Sequence, residues 1–201
     1  MLIYLHPMSK NITDLSKEEI AITFPVQLSS YKIEWKDIYE KERQCIVEAL
    51  GNKIIRIAHF GSTAIPNLTA KNTIDILVEI AEADFLNEHI IESLKSLAYD
   101  YILQNEGEHQ HMVFVKGYSA AGEKGQTFHI HMGQKQHPIW DRIFFRDYLI
   151  EKSEIAKAYE DLKLKLAEEY KYDRVGYRIA KTDFVIRTTE EAKKYYSKKC
   201  S

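Results

Sequence analysis

Cysteine is scarce in this chain, with only Cys45 and Cys200 among 201 residues. They lie far apart and neither belongs to a CxxC pair, so a disulfide framework and a thiol-rich metal knot are both excluded. Free thiols in a reducing cytoplasm are the natural expectation. Long hydrophobic runs are also missing, and no stretch is apolar for long enough to span a bilayer. The apolar start MLIYL turns polar within a few residues, so no secretory signal is expected. Net charge is small, at -2. That leaves no electrostatic footprint for tight binding to a nucleic-acid backbone, although a local basic pocket remains open. No internal repeat is apparent.

What is present is a soluble, globular composition, 45% hydrophobic and 29% charged. That fraction supports one sizeable core and argues against general disorder. Residues 1–24 read as an extension in which Thr13 or Asp14 could cap a short turn, and residues 25–199 as one domain. Residues 34–50 read as an amphipathic helix. Trp35, Ile38, Tyr39, Ile46 and Leu50 form its apolar face and Gly51-Asn52 its stop. Trp35 could be a stacking platform, but an aromatic anchor in the core is the commoner use.

Strands are expected at 54–60 and within 72–80, a helix at 84–98 and a further strand from 99. Residues 111–116 and 127–132 read as the arms of an antiparallel hairpin with a Gly-rich connection, around which His109, His111, His129 and His131 cluster. His129 and His131, two apart on a strand, share a face. The end of the chain is helical: 139–150 after Pro138, 153–170 with Ser153 as N-cap, a loop holding Gly176, then 183–199. Strands and helices alternate first and helices dominate later. That order suits an α/β or α+β fold, a mixed sheet flanked by helices with a helical C-terminal part.

The stretch IIRIAHFGSTAIPNLTAKNTIDILVEI is unlike the rest of the chain. It is a strand, a small-residue turn, a loop with one lysine, and a second strand with a carboxylate at its head. Gly61 allows close backbone approach, and Ser62 and Thr63 add donors suited to a phosphate oxygen. The turn is not a Walker A loop, a GxGxxG fingerprint or a GxSxG elbow, and an ordinary tight turn is the plain alternative. Asp75 lies in an apolar segment, so it needs a hydrogen bond, a cation or a metal. Glu79 is on the same side of a regular strand. With His129 and His131 these carboxylates could hold a metal if the two strands are neighbours, the alternative being a buried Asp and sheet histidines satisfied by hydrogen bonds. Lys71, Arg142, Arg146, Arg178 and Lys181 are candidate phosphate ligands. For Arg146 a surface pair with Asp147 is the competing reading.

These residues resemble the signature of the GrpB (UPF0157) family, close to H-I-G-S-T-A-V-P-G-L-x-A-K-P-x-I-D-I. His59, Gly61, Ser62, Thr63, Ala64, Pro66, Leu68, Ala70, Lys71, Ile74, Asp75 and Ile76 match it. His129 and His131 resemble its H-x-H strand, Phe145 to Leu149 its F-R-D-Y-L helix, and Tyr159, Leu162, Lys163, Tyr177 and Lys181 its tail. The resemblance implies a divergent branch of the nucleotidyltransferase superfamily. By it, Gly61-Ser62 is the phosphate corner and Asp75 the catalytic carboxylate and first metal ligand. The second carboxylate of the usual DxD falls at Leu77. Asn67 replaces a glycine, which Asn can do in a turn of positive φ, and Asn72 replaces a proline.

The expected function is binding of a nucleotide or other phosphorylated small molecule, with metal-dependent nucleotidyl transfer. Gly61, Ser62, Thr63, Lys71, Arg146 and Lys181 would hold phosphate, and Asp75, Glu79, His129 and His131 would hold Mg²⁺ or Mn²⁺, with Zn²⁺ behind them. A non-catalytic phosphate-ligand module and a metal-dependent phosphohydrolase are the alternatives.

Overall fold

The computed structural model describes residues 16–104 and 109–199. Helix α1 (Lys17–Thr23) opens on a capping box in which the Ser16 hydroxyl accepts the Glu19 N–H and the Glu19 carboxylate accepts the Ser16 N–H. Thr13 and Asp14, the caps expected from sequence, lie outside the described residues. Helix α2 (Glu34–Leu50) coincides with its expected span and stops at Gly51, whose φ is 53°. Strands β1 (Arg56–Phe60) and β2 (Thr73–Glu79) follow, then α3 (Glu88–Ser96), β3 (Asp100–Gln104), β4 (His111–Ser119) and β5 (Gly122–Gly133). Four helices close the chain: α4 (Asp141–Glu151), α5 (Ser153–Glu169), α6 (Arg174–Ala180) and α7 (Thr182–Lys199).

Three expectations need correction. Ser153 does not cap α5; it is the first helical residue, and Lys152 occupies the cap position without a side-chain bond. The helix expected over 84–98 is shorter, because residues 82–84 form a separate 3-10 turn and the Asn87 side chain caps α3 by accepting the His89 N–H at 2.9 Å. The loop around Gly176 is helix α6, capped by Asp173, which accepts the Gly176 N–H at 2.8 Å.

The sheet order is β1-β2-β5-β4-β3, antiparallel throughout except for the parallel pair β2–β5. Strand alternation separates the two faces. On one, Ile74, Ile76 and Val78 lie with Phe128, Ile130 and Met132 of β5 and Met112 and Phe114 of β4. Trp35, Tyr39, Ile46 and Leu50 of α2 and Ile90 and Leu94 of α3 cover that face and complete the main core. Trp35 is fully buried, and its indole N–H donates to Asn72 Oδ1 at 2.9 Å, so it is a core anchor rather than a stacking platform. An asparagine where the family pattern has proline thus ties α2 to the start of β2.

The opposite face carries Asp75, Leu77 and Glu79, with His129 and His131 beside them. It is covered by the C-terminal helices: Phe60 and Leu77 pack against Ile139, Trp140 and Ile143, while Ile65 and Leu68 of the loop after β1 pack against Phe145, Leu149 and Tyr159. Asn67 in that loop has φ 62°, the positive value that the Gly-to-Asn departure implies. Among the described residues no helix is long and apolar enough to cross a membrane.

Because Trp35 fills the centre of the main core, Trp35→Ala is expected to lower stability by about 3–5 kcal/mol. Urea denaturation reads this as a lower midpoint at unchanged slope.

Candidate functional site

The parallel register places Asp75 level with His129 and Leu77 level with His131. Asp75 Oδ1 lies 3.6 Å from His129 Nδ1. Asp75, His129 and His131 each offer one ligating atom, and these atoms lie within 4.8 Å of one another. Each imidazole is also held from behind. The other nitrogen of His129, Nε2, is 2.7 Å from the Tyr118 hydroxyl, and His131 Nδ1 is 3.1 Å from His111 Nε2. Burial pushes the pKa of His129 down, against the opposing pull of Asp75, and pushes that of His131 well down. Both rings are therefore neutral near pH 7, the form that ligates metal. Two imidazoles and one carboxylate with outer partners in place are a donor set that fits a divalent transition metal.

Two glycines make this arrangement possible. Gly61 has φ 73°, and a Cβ there would stand 2.4 Å from Asp75 Oδ2. Gly117 has φ 93° and sits at a register shift between Lys116 and Tyr118. A bulge of this kind reverses the alternation of side chains. It turns Tyr118 onto the face of His129, where regular pleating would have put it on the core side.

Glu79 does not join the cluster. Four residues further along β2, roughly 13 Å away at about 3.3 Å per residue, its buried carboxylate accepts from Arg56 Nε at 2.9 Å. The Arg56 guanidinium in turn lies 3.6 Å from the centre of the Trp140 ring. Leu77, between the two carboxylates, is 0% exposed.

Basic side chains converge on the same corner. Burial, with Lys181 and Arg174 adding repulsion, pushes the pKa of Lys71 down to about 8. Lys181 is likewise pushed down to about 8 by burial, with Asp75 pulling the other way and Arg142 and Arg178 adding to the depression. Lys163 is 1% exposed and is pushed down to about 7, again by burial first and by Lys181 second. Its Nζ donates to the Thr69 carbonyl and, at 3.3 Å, to Ser62 Oγ. Positive charge thus outnumbers the carboxylates that face it, which is the electrostatic character of an anion site.

Thr63 and Arg146 are engaged elsewhere. The buried Thr63 hydroxyl donates to the Thr73 carbonyl at 3.0 Å and meets His59 Nε2 at 3.0 Å, bracing β1 against β2. Arg146 donates to the His59 carbonyl at 2.6 Å and grips Asp147 with Nε and a terminal nitrogen. The Arg146–Asp147 pair was the competing reading for this arginine. Sequence reasoning did not single out Lys163, Tyr118 or His111 as site residues. Lys163 left a trace, being a lysine on the apolar stripe of α5 between Tyr159 and Leu166. Tyr118 left none, because its orientation depends on the bulge.

The GrpB protein family model matches residues 25–191. The chain is 33% identical over 169 residues to the glutamate-rich protein GrpB of Alkalihalophilus pseudofirmus, covering 83% of this chain and 95% of that one. It is 32% identical over 174 residues to the UPF0157 protein YqkA of Bacillus subtilis, covering 86% of this chain but spanning only 48% of that protein. Among solved structures, the conserved protein GrpB from Enterococcus faecalis superposes with a TM-score of 0.73 at 29% identity, covering 85% of this chain and 99% of that one. On these grounds the chain belongs to the GrpB family.

Proposed function

We propose that this protein binds a nucleotide or another phosphorylated small molecule together with a divalent cation, and that its reaction is metal-dependent nucleotidyl transfer. One observation carries the reading: the Asp75, His129 and His131 cluster stands among ammonium groups whose burial, with repulsion between like charges added, pushes them down to about 8. Such lysines regain their ordinary basicity when an anion arrives. Ser62 and the ammonium groups of Lys71 and Lys181 would hold the phosphate oxygens, and Asp75, His129 and His131 would hold the cation. When bound, that cation would supply Lewis-acid neutralisation of phosphoryl charge. The donor set supports Mn²⁺ or Zn²⁺ ahead of Mg²⁺, which prefers all-oxygen coordination. A cytoplasmic location is part of the same proposal, in keeping with the free, exposed thiol of Cys45.

Leu77 favours a second reading. At the position of the usual second carboxylate stands a fully buried leucine, and without that ligand the site could bind phosphate ligands without turnover. Product formation from a nucleoside triphosphate by purified protein, abolished in Asp75→Asn, would exclude this module.

Thermal-shift assays on EDTA-treated protein test the proposal directly, since a ligand that binds only the folded state raises its apparent stability. Nucleoside triphosphate with Mn²⁺ or Zn²⁺ is expected to stabilise the wild type more than either component alone. Asp75→Asn should remove the metal-dependent part. Absence of any shift with mono- or triphosphates would overturn the proposal.

Tyr118→Phe should leave the fold intact and weaken Mn²⁺ or Zn²⁺ binding by about 10–100-fold, the usual cost of losing an outer partner of a metal-binding histidine. Isothermal titration with the metal alone measures it.

The lysines give a signed pH dependence. Lys71 and Lys181 are charged below about 8 and neutral above it. Triphosphate affinity should therefore fall as pH rises from 7 to 9, by about tenfold for each lysine that loses its charge-assisted bond. Binding near pH 8 should take up protons, visible as a binding heat that varies with buffer ionisation enthalpy. In the free protein the same depressed values act on stability. The unfolded chain binds more protons than the folded one between about pH 8 and 10, so the contribution of these lysines to stability rises with pH across that window.

A further inference from the structure

Lys163 is more than a cation at the rim of this corner. It projects from α5 into the loop between β1 and β2, and three contacts lock it there. Its Nζ bonds the Thr69 carbonyl, meets Ser62 Oγ at 3.3 Å and lies 4.8 Å from the centre of the Tyr159 ring. Glu160, the neighbouring helix position, holds the same loop by accepting the Thr69 N–H at 3.0 Å. Burial pushes the pKa of the neighbouring Tyr159 hydroxyl up to about 12. It therefore stays protonated and uncharged beside Ser62. When the Lys163 amine is unprotonated, the same 3.3 Å contact can be made with the Ser62 hydroxyl as donor.

We propose that Ser62 is a nucleophile toward phosphorus, with Lys163 as its general base. Ser62 sits on a turn opened by the positive φ of Gly61, is half-buried rather than sealed, and faces the corner where Lys71 and Lys181 gather. The buried amine behind it is pushed down to about 7, so a large share is unprotonated at neutral pH. An unprotonated amine can donate to the Thr69 carbonyl and still accept from Ser62. Serine paired with lysine is an established way to activate a hydroxyl without histidine.

The step balances without a further reactant. Ser62 Oγ bonds the α-phosphorus of a nucleoside triphosphate while its proton passes to Lys163 Nζ. The Pα–O–Pβ bond breaks, and its electron pair leaves with pyrophosphate. The product is nucleotidyl-Ser62 beside a Lys163 ammonium, which returns the proton to the leaving group or to solvent. The choice of a triphosphate rests on the function proposed above, whereas the nucleophilic serine does not depend on it.

A fluorophosphonate probe separates the two, because it needs neither nucleotide nor metal: Ser62 Oγ bonds phosphorus and fluoride departs. On the full chain, treated with EDTA at pH 8, peptide mapping is expected to find the label on Ser62 and to lose it in Ser62→Ala. Lys163→Met, whose unbranched side chain can follow the same buried path, should slow labelling by about a hundredfold or more. Circular dichroism and thermal melting check that the variant is folded. If Lys163→Met does not fold, Lys163→Arg provides the test, since guanidinium keeps the charge but cannot accept the proton.

The labelling rate should rise with pH through about 7. The groups facing Lys163 are Tyr159 and Glu160 on its own helix, Lys181 at the α6–α7 junction, and the hydroxyl of Ser62 itself. Folded wild type unlabelled at Ser62, or a folded Lys163 variant labelled as fast as wild type, overturns the proposal. A thermal shift with triphosphate but no Ser62 label leaves the binding function standing and rejects the nucleophile. Labelling without nucleotidyl-Ser62 after incubation with nucleoside triphosphate and Mn²⁺ keeps the nucleophile and rejects the triphosphate as its substrate.

Discussion

The parallel ladder between β2 and β5 brings Asp75 level with His129 and Leu77 level with His131, and the rest of the site depends on that register. Side chains alternate strictly along a strand, so a slip of one residue would send Asp75 into the main core and leave the histidines facing nothing. The register is pinned on both faces. Ile74, Ile76 and Val78 lock it from the apolar side. At the mouth of the ladder, Thr73 and Thr127, 54 residues apart in the chain, share a hydroxyl contact of 2.8 Å, and the Thr127 hydroxyl donates to the Asn72 carbonyl at 2.9 Å.

On the face that carries Asp75 and the two histidines, burial and charge work against each other. Lys71, Lys163 and Lys181 are all held below their ordinary basicity, mainly because water is excluded around them. Natural cores seldom admit lysine without a paired carboxylate, and here Lys163 bonds a carbonyl and a hydroxyl and lies over the Tyr159 ring. Anionic charge placed in the corner would relieve the strain that desolvation imposes. The loop that carries Gly61 and Ser62 is tied to α5, which holds it at Thr69 and packs against Ile65 and Leu68.

Much of this could be read from the residues. The period of α2 and its stop at Gly51 gave its limits, and the pairing of β4 with β5 followed from their spacing and Gly-rich connection. The shared face of His129 and His131 followed from strand geometry, and the apolar run around Asp75 marked a carboxylate in need of partners. What was hidden came from non-local geometry or from weak local signals. Glu79 binds Arg56 because antiparallel pairing of β1 with β2 sets those two opposite each other, which spacing along one strand cannot reveal. Tyr118 reaches His129 only through the bulge at Gly117. Helix α6 is short and contains Gly176, a poor helix former, so its pattern resembled a loop.

Leu77 also bears on how this chain can change. It is enclosed by Phe60, Ile139 and Trp140 beneath α4, so its seat is shaped for hydrocarbon. A carboxylate introduced there would arrive without water or a counter-ion, and the aromatic wall would have to be rebuilt before it could be tolerated. Packing therefore acts as a ratchet. Because this position is part of the joint between sheet and helix, a paired-carboxylate site is more than one substitution away.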